Sequence, residues 1–281
     1  MPEQLRITTA TREDVDLMVE WAAREGWNPG LDDAAAFRAA DPEGFLVGRI
    51  GEEPVSCISV VGYPGGFGFL GFYIVVPERR GRDHGIATWR VGLQRLGERT
   101  VGLDGVVDQQ ASYRRSGFVL AHRNIRFGGE VQVPPPDDPR IHPVESRLIE
   151  AVTAYDARFF PADRSAFVRG WVDPAHRTAL ALVEDGTVTG YGVVRACREG
   201  AKIGPLFADR DEGADLLFRA LASRVAGGRV YLDCPEPNAA ATALATSYGL
   251  EPAFETARMY RGTDPQLPLE RTFGITTFEL G

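Results

Sequence analysis

Apolar positions along the chain fall into two rounds of one rhythm. In the first round, Leu5-Arg6-Ile7-Thr8 alternates as a strand does. Thr11 then stands where a helix N-cap would, before the acidic turn Glu13-Asp14. Val15, Met18, Val19 and Ala22 share one helical face. Trp27-Asn28-Pro29-Gly30 turns the chain, and a short helix runs from Asp32 to Ala40. Residues 45–50 and 55–63 read as two strands about Gly51-Glu52-Glu53-Pro54. The run from Phe67 to Val76 has the length and the β-branched and aromatic content of a buried strand. Pro77 and Glu78 stop it, a glycine- and arginine-rich turn spans Arg79 to Gly85, and Ile86, Trp89, Leu93 and Leu96 mark a helix. A strand at 105–107, a short helix from Ala111 ended by Gly117, and a strand at 119–127 close the round.

Val133-Pro134-Pro135-Pro136-Asp137-Asp138-Pro139 favours an extended spacer. After it the pattern restarts. Helices are expected at 144–160 and 164–172, and strands at 178–184 and 188–196 flank the turn Asp185-Gly186. A strand at 201–207, a helix at 211–225, a strand at 229–233, a helix at 238–247 and a strand at 253–260 follow. This order echoes the first round without its first strand, a period of roughly 140 residues, too long for a solenoid. The pattern predicts an α/β fold (α+β, mixed sheet) of two tandem domains, each a mostly antiparallel twisted sheet flanked by helices. Their expected bounds are 1–131 and 141–281, with a proline-rich linker at 132–140.

The chemistry concentrates between Gly66 and Arg99. A strand, a glycine-arginine loop and a helix together make a phosphate cradle. The first N–H groups of a helix lack internal partners, and the helix dipole adds positive charge there. Glycines let the backbone approach an anion, and arginines add formal charge. The Walker pattern is absent because no lysine follows Gly85, and G-x-G-x-x-G is absent after the strand. A strand-turn-helix with a solvated basic turn would look the same locally.

The segment resembles the acetyl-CoA loop of the GNAT acetyltransferases, [QR]-x-x-G-x-[GA]. Arg82-Asp83-His84-Gly85-Ile86-Ala87 matches letter for letter, while P-E-R-R-G-R-D-H-G-I-A-T-W (77–89) aligns without gaps on a longer form anchored by Arg80. The second register is preferred because it keeps Pro77, Glu78, Gly81, Gly85 and Trp89 in place; it puts Asp83 where a loop glycine usually stands. The resemblance implies acetyl-CoA as co-substrate. Ile74, Val75 and Val76 would hold it from the strand, and Arg79, Arg80, Gly81, Arg82, Asp83, His84, Gly85, Ile86 and Ala87 from the loop. Tyr113-Arg114-Arg115-Ser116-Gly117-Phe118 resembles the family's Y-x-x-x-G-F segment, which implies Tyr113 as the general acid for the departing thiol. The family often carries a base glutamate near Phe69; this chain has no acid there. Asp32, Asp233 and Glu236 are candidates for base or amine anchor, and Trp27, Asn28 and Asp32 for substrate contact. The alternative roles are a helix cap for Asp32, turn formation before an Asn238 cap for Asp233 and Glu236, and a core plug for Trp27.

The whole chain resembles the tandem-GNAT, YitH-type acetyltransferases, an ordinary GNAT half followed by a degenerate one. E-G-W-N-P-G (25–30), Y-I-V-V-P-E (73–78), Y-L-D-C-P-E-P-N (231–238) and F-G-I-T-T-F-E-L-G (273–281) carry the likeness. The second loop, Gly204 to Gly213, has one arginine, and Asp209, Asp211 and Glu212 occupy the place of a phosphate's charge. The implied reaction moves an acetyl group from acetyl-CoA to a small-molecule primary amine. The alternatives are an acetyl-CoA sensor or scaffold without turnover, or use of another acyl-CoA.

Composition narrows the partners. A net charge of −8 without a long basic stripe disfavours nucleic acid. Cys57, Cys197 and Cys234 are far apart, which points to buried thiols without disulfides, zinc or another metal. The segment Met1–Ala10 has no apolar leader core, and no run reaches membrane-spanning length, so a cytoplasmic protein without membrane contact is expected, as a monomer or homodimer.

Overall fold

The computed structural model describes residues 4–173, 175–225 and 227–281; Met1–Glu3, where the expected absence of a leader begins, lie outside the described residues. The first half runs β1 (Leu5–Thr9), α1 (Arg12–Arg24), α2 (Asp33–Ala40), β2 (Phe45–Ile50), β3 (Glu53–Tyr63) and β4 (Phe67–Val75). It continues with α3 (His84–Leu96), β5 (Thr100–Val106), α4 (Gln110–Arg115) and β6 (Val119–Glu130). The second half repeats the series as β7 (Ile141–Pro143), α5 (Ser146–Asp156), α6 (Ser165–Trp171), β8 (Arg177–Glu184), β9 (Thr187–Ala196) and β10 (Ala201–Ala208). Then come α7 (Asp211–Ala222), β11 (Arg229–Pro235), α8 (Ala239–Ser247), β12 (Glu251–Arg261) and β13 (Thr272–Gly274).

Local sequence accounts for several of these boundaries. Thr11 and Asp14 form a reciprocal capping box on α1: Asp14 N–H donates to Thr11 Oγ1 at 3.2 Å, and Thr11 N–H donates to Asp14 Oδ2 at 2.9 Å. Asn238 caps α8, accepting from the N–H groups of Ala240 and Ala241 at 3.1 Å each. The strand that the second round seemed to lack is β7, only three residues long, paired antiparallel with β8 as β1 pairs with β2. The fifth strand begins at Thr100 and not at Gly105, because Thr100–Leu103 pairs in parallel with Phe67–Leu70 of β4.

All the strands join one sheet, in the order β1-β2-β3-β4-β5-β12-β6-β11-β10-β9-β8-β7, with β13 alongside β10. The expected division at 132–140 therefore marks the sequence repeat but does not separate two sheets. β12, from the second half, lies between β5 and β6, and β6, from the first half, pairs with β11. Each half's last long strand completes the other's sheet.

One apolar layer also crosses the seam. Phe37 of α2 stacks on Trp171 of α6, ring centroids 5.9 Å apart, within a core that takes in Met18, Phe72, Phe167 and Tyr191. Buried ion pairs fasten the halves. Asp33 lies between Arg177 and Arg195, each 3.2 Å away, and both guanidiniums sit over Trp171 at about 4.5 Å. Arg126 of β6 makes a two-pronged pair with Asp233 of β11 at 2.6 and 2.9 Å.

Candidate active site

The site follows from where two parallel strands part. β4 and β5 are paired from Phe67 to Leu70 against Thr100 to Leu103 and pair no further. At Phe72 β4 takes a positive φ of 46°, and its register with β3 shifts there. Beyond this bulge the strands leave a cleft of about 930 Å³. Leu70–Val75 form one wall and Leu103–Val107 the other, and Arg79, Arg80, Gly81, Asp83, Gly85 and Ile86 close the mouth.

The loop enters α3 through Asp83, which adopts the left-handed conformation (φ 62°) and gives no side-chain cap to the helix. The Arg80 Nε donates to the Val75 carbonyl at 2.9 Å, and the rest of its guanidinium pairs with Glu25 at the end of α1. Arg79 pairs with Glu53. Of the residues expected to hold the co-substrate, Ile74, Val75, Arg79, Arg80, Gly81, Asp83, Gly85 and Ile86 line the cleft. Val76, Arg82, His84 and Ala87 are not among its lining residues.

Tyr113 reaches the cleft from α4 and is 8% exposed. Its ring stacks on Trp89 of α3, centroids 5.6 Å apart. Burial pushes its phenol well above the ordinary range, and neighbouring Tyr73 adds to the shift. Both hydroxyls are therefore neutral donors at physiological pH.

The other expected residues are scattered. Trp27 lines the cleft. Asn28 instead ties the seam: its amide donates to the Glu199 carbonyl at 2.9 Å and accepts from the Glu199 N–H at 3.2 Å. Asp32 is half exposed, 3.6 Å from His176, and away from the cleft. It precedes α2 and makes no side-chain cap bond. Asp233 is corrected from base candidate to buried counter-ion, because both its oxygens are held by Arg126. Glu236 is exposed in the turn before α8, outside the cleft. Cys57, Cys197 and Cys234 are all buried free thiols.

Comparison with known proteins fits this geometry. The chain is 32% identical over 275 residues to the holothin acyltransferase of Pseudoalteromonas sp. (strain SANK 73390), covering 97% of this chain and 93% of that protein. Residues 152–274 match the acetyltransferase (GNAT) domain family. The chain belongs to the GNAT acyltransferase family. GNAT structures share its fold. A putative acetyltransferase from Pyrococcus horikoshii superposes with a TM-score of 0.83 at 22% identity, over 100% of this chain and 97% of that one. A tandem GNAT protein from the clavulanic acid biosynthesis pathway gives 0.65 at 18% identity, over 93% of this chain and 100% of that one. GNAT acyltransferases use acyl-CoA.

The equivalent notch of the second half is occupied. β10 and β11 pair in parallel only from Ala201 to Ile203 against Val230 to Leu232. β13 then enters the gap, pairing with Leu206 and Phe207 of β10, while the Ile275 N–H donates to the Asp233 carbonyl at 2.9 Å. The chain beyond β13 goes on to the first half's cleft, where Phe278 and Glu279 join Phe254, Glu255 and Thr256 of β12 in its lining. Sequence reading did not assign a site role to these five residues. The signals were that T-A-R-M-Y-R-G (256–262) and 273–281 carry part of the family likeness.

Proposed function

We propose that this chain transfers an acetyl group from acetyl-CoA to a primary amine of a small molecule, by direct attack in the cleft between β4 and β5. One observation carries the reading: of two equivalent notches, the first is open beneath a glycine-arginine loop and the second is filled by β13. On this reading one acyl-CoA binds per chain, and the second half serves as scaffold and supplies the floor of the cleft.

In that scheme the pyrophosphate lies at the start of α3, against the loop N–H groups and Arg80. The thioester reaches the bulge at Phe72, where β4 has no strand partner on the β5 side. Backbone N–H groups of this stretch that face the β5 side are donors for the tetrahedral oxyanion, while that of Val76 is held by the Val55 carbonyl at 3.0 Å. The neutral amine attacks the carbonyl carbon, the C–S bond breaks, and the Tyr113 hydroxyl gives the thiolate its proton. No covalent enzyme intermediate is needed.

The test is thiol release from acetyl-CoA and from longer acyl-CoAs, across a panel of amines. Turnover with acetyl-CoA is expected. Tight binding without turnover would favour an acetyl-CoA sensor, and faster release from a longer thioester would reassign the acyl group.

A further inference from the structure

The cleft is lined by six carboxylates, and three have their charge committed. Glu25 pairs with Arg80, Asp104 with Arg258 at 2.6 Å, and Glu255 with Arg123 at 2.6 Å. Asp83 and Asp108 stand exposed at the mouth. Glu279 differs from all of these. It lines the cleft, is 2% exposed, and its Oε1 is fully buried without a hydrogen-bond partner among the described residues. A buried carboxylate oxygen left bare is costly, and such groups concentrate where chemistry needs them.

Its position is fixed from several sides. The Thr277 Oγ1 accepts from the N–H groups of Glu279 and Leu280 at 3.2 and 2.9 Å. Arg164 donates to the Gly281 carbonyl oxygen at 2.9 Å, and the Phe278 ring lies under Arg126 at 4.7 Å. The Glu279 carbonyl presses on Gly71 of β4, where a Cβ would stand 2.3 Å from it. Gly71 adjoins the Phe72 bulge, at the point where β4 and β5 part.

We propose that Glu279 is the proton acceptor for the attacking amine, delivered to the first half's cleft by the second half. This inference rests on the transferase reading above. The amine nitrogen bonds to the thioester carbon and loses its proton to the Glu279 carboxylate. The C–S bond breaks, and the sulfur leaves with the proton of Tyr113. Glu279 then releases its proton to solvent, and Tyr113 regains one from solvent. Burial pushes the Glu279 carboxyl above the usual range, and Asp33 adds to the shift. Lys202, Arg195 and Arg126 oppose it, Lys202 most strongly. An elevated carboxyl is the stronger base near neutral pH.

The competing role is a counter-ion for those three cations, and one experiment separates the two. Acetyl-CoA is given with 2-phenylethylamine and a wider amine panel, and kcat is followed against pH, with acetyl-CoA affinity by calorimetry. Glu279→Gln is expected to lose about 10²-fold in kcat, to bind acetyl-CoA as before, and to lack the wild-type pH step on the acid side. A Gln variant with wild-type kcat, or one that keeps the step, overturns the assignment alone. If Glu279→Gln does not fold, Glu279→Asp decides: a lowered kcat with the step retained supports the role, and an unchanged kcat overturns it. Wild-type protein that binds acetyl-CoA but releases no thiol with any amine overturns the transferase reading and this inference with it.

Discussion

The ring of Tyr113 covers the backbone of Gly105 so closely that a Cβ built there would stand 2.2 Å from a ring carbon. Gly105 thus sets how deep the phenol sits in the cleft. Tyr113→Phe keeps the ring and removes only the proton donor. We expect kcat to fall by about 10²-fold, with acetyl-CoA affinity unchanged, because in the proposed mechanism the hydroxyl acts as the C–S bond breaks. Gly105→Ala should lower kcat too, by displacing the ring. Near-wild-type turnover in Tyr113→Phe, with chemistry rate-limiting, would remove the hydroxyl from the mechanism.

The loop residue Asp83 holds a left-handed conformation without capping α3. Asp83→Gly should relieve about 1 kcal/mol of backbone strain and remove a charge from beside the proposed pyrophosphate position. Acetyl-CoA affinity should hold or tighten. Arg80→Ala should weaken it by about 1–3 kcal/mol, the scale of a charged hydrogen bond. Weaker binding by Asp83→Gly would mean that its carboxylate orders the loop.

Titration calorimetry should find one acetyl-CoA site per chain. β13 fills the second notch through backbone pairing with β10 and a hydrogen bond to β11, so a ligand there would have to displace a strand. Two equivalent sites would be incompatible with that.

Asp33 and Asp32 are neighbours with unequal expected effects. Asp33→Ala strands the guanidiniums of Arg177 and Arg195 in the seam and should cost about 3–5 kcal/mol. Asp32→Ala, at a half-exposed position, should stay within about 0.5 kcal/mol. Denaturant melts of the two variants compare them directly.

His122 of β6 lies opposite Arg258 of β12 in the sheet, and its pKa is pushed down to about 3, first by burial and then by that arginine. Between the ordinary histidine value near 6.5 and about 3, the unfolded chain binds a proton that the native state refuses. His122 therefore makes no pH-dependent demand above that window, and it lowers stability as the pH falls through it. The slope approaches about 1.4 kcal/mol per pH unit. In urea melts from pH 7 to pH 4, His122→Gln should lose part of the acid destabilisation; an unchanged pH profile would rule the histidine out.

What the sequence made legible was local. The strand, loop and helix from Phe67 to Leu96, the Tyr113 segment and the Asn238 cap all lie within short windows, where periodicity and turn chemistry act. What it hid depends on distant pairings. Arg126 finds Asp233 across 107 residues, which turned a base candidate into a counter-ion. Three-residue strands such as β7 and β13 are too short for any periodicity to mark. Glu279 follows Phe278 in a run with no catalytic pattern, and only the path of the chain back to Gly71 gives it meaning.

The exchange of β6 and β12 also sets a schedule for synthesis. β5 receives its native neighbour only from Glu251–Arg261, after all the intervening elements have left the ribosome. Until then that edge of β5 lacks its final partner and remains open to wrong partners, including other nascent chains. The contacts that finish the first half have high sequence separation, which slows folding. The half with the open cleft is translated before its partner strands and cannot be the first to be complete.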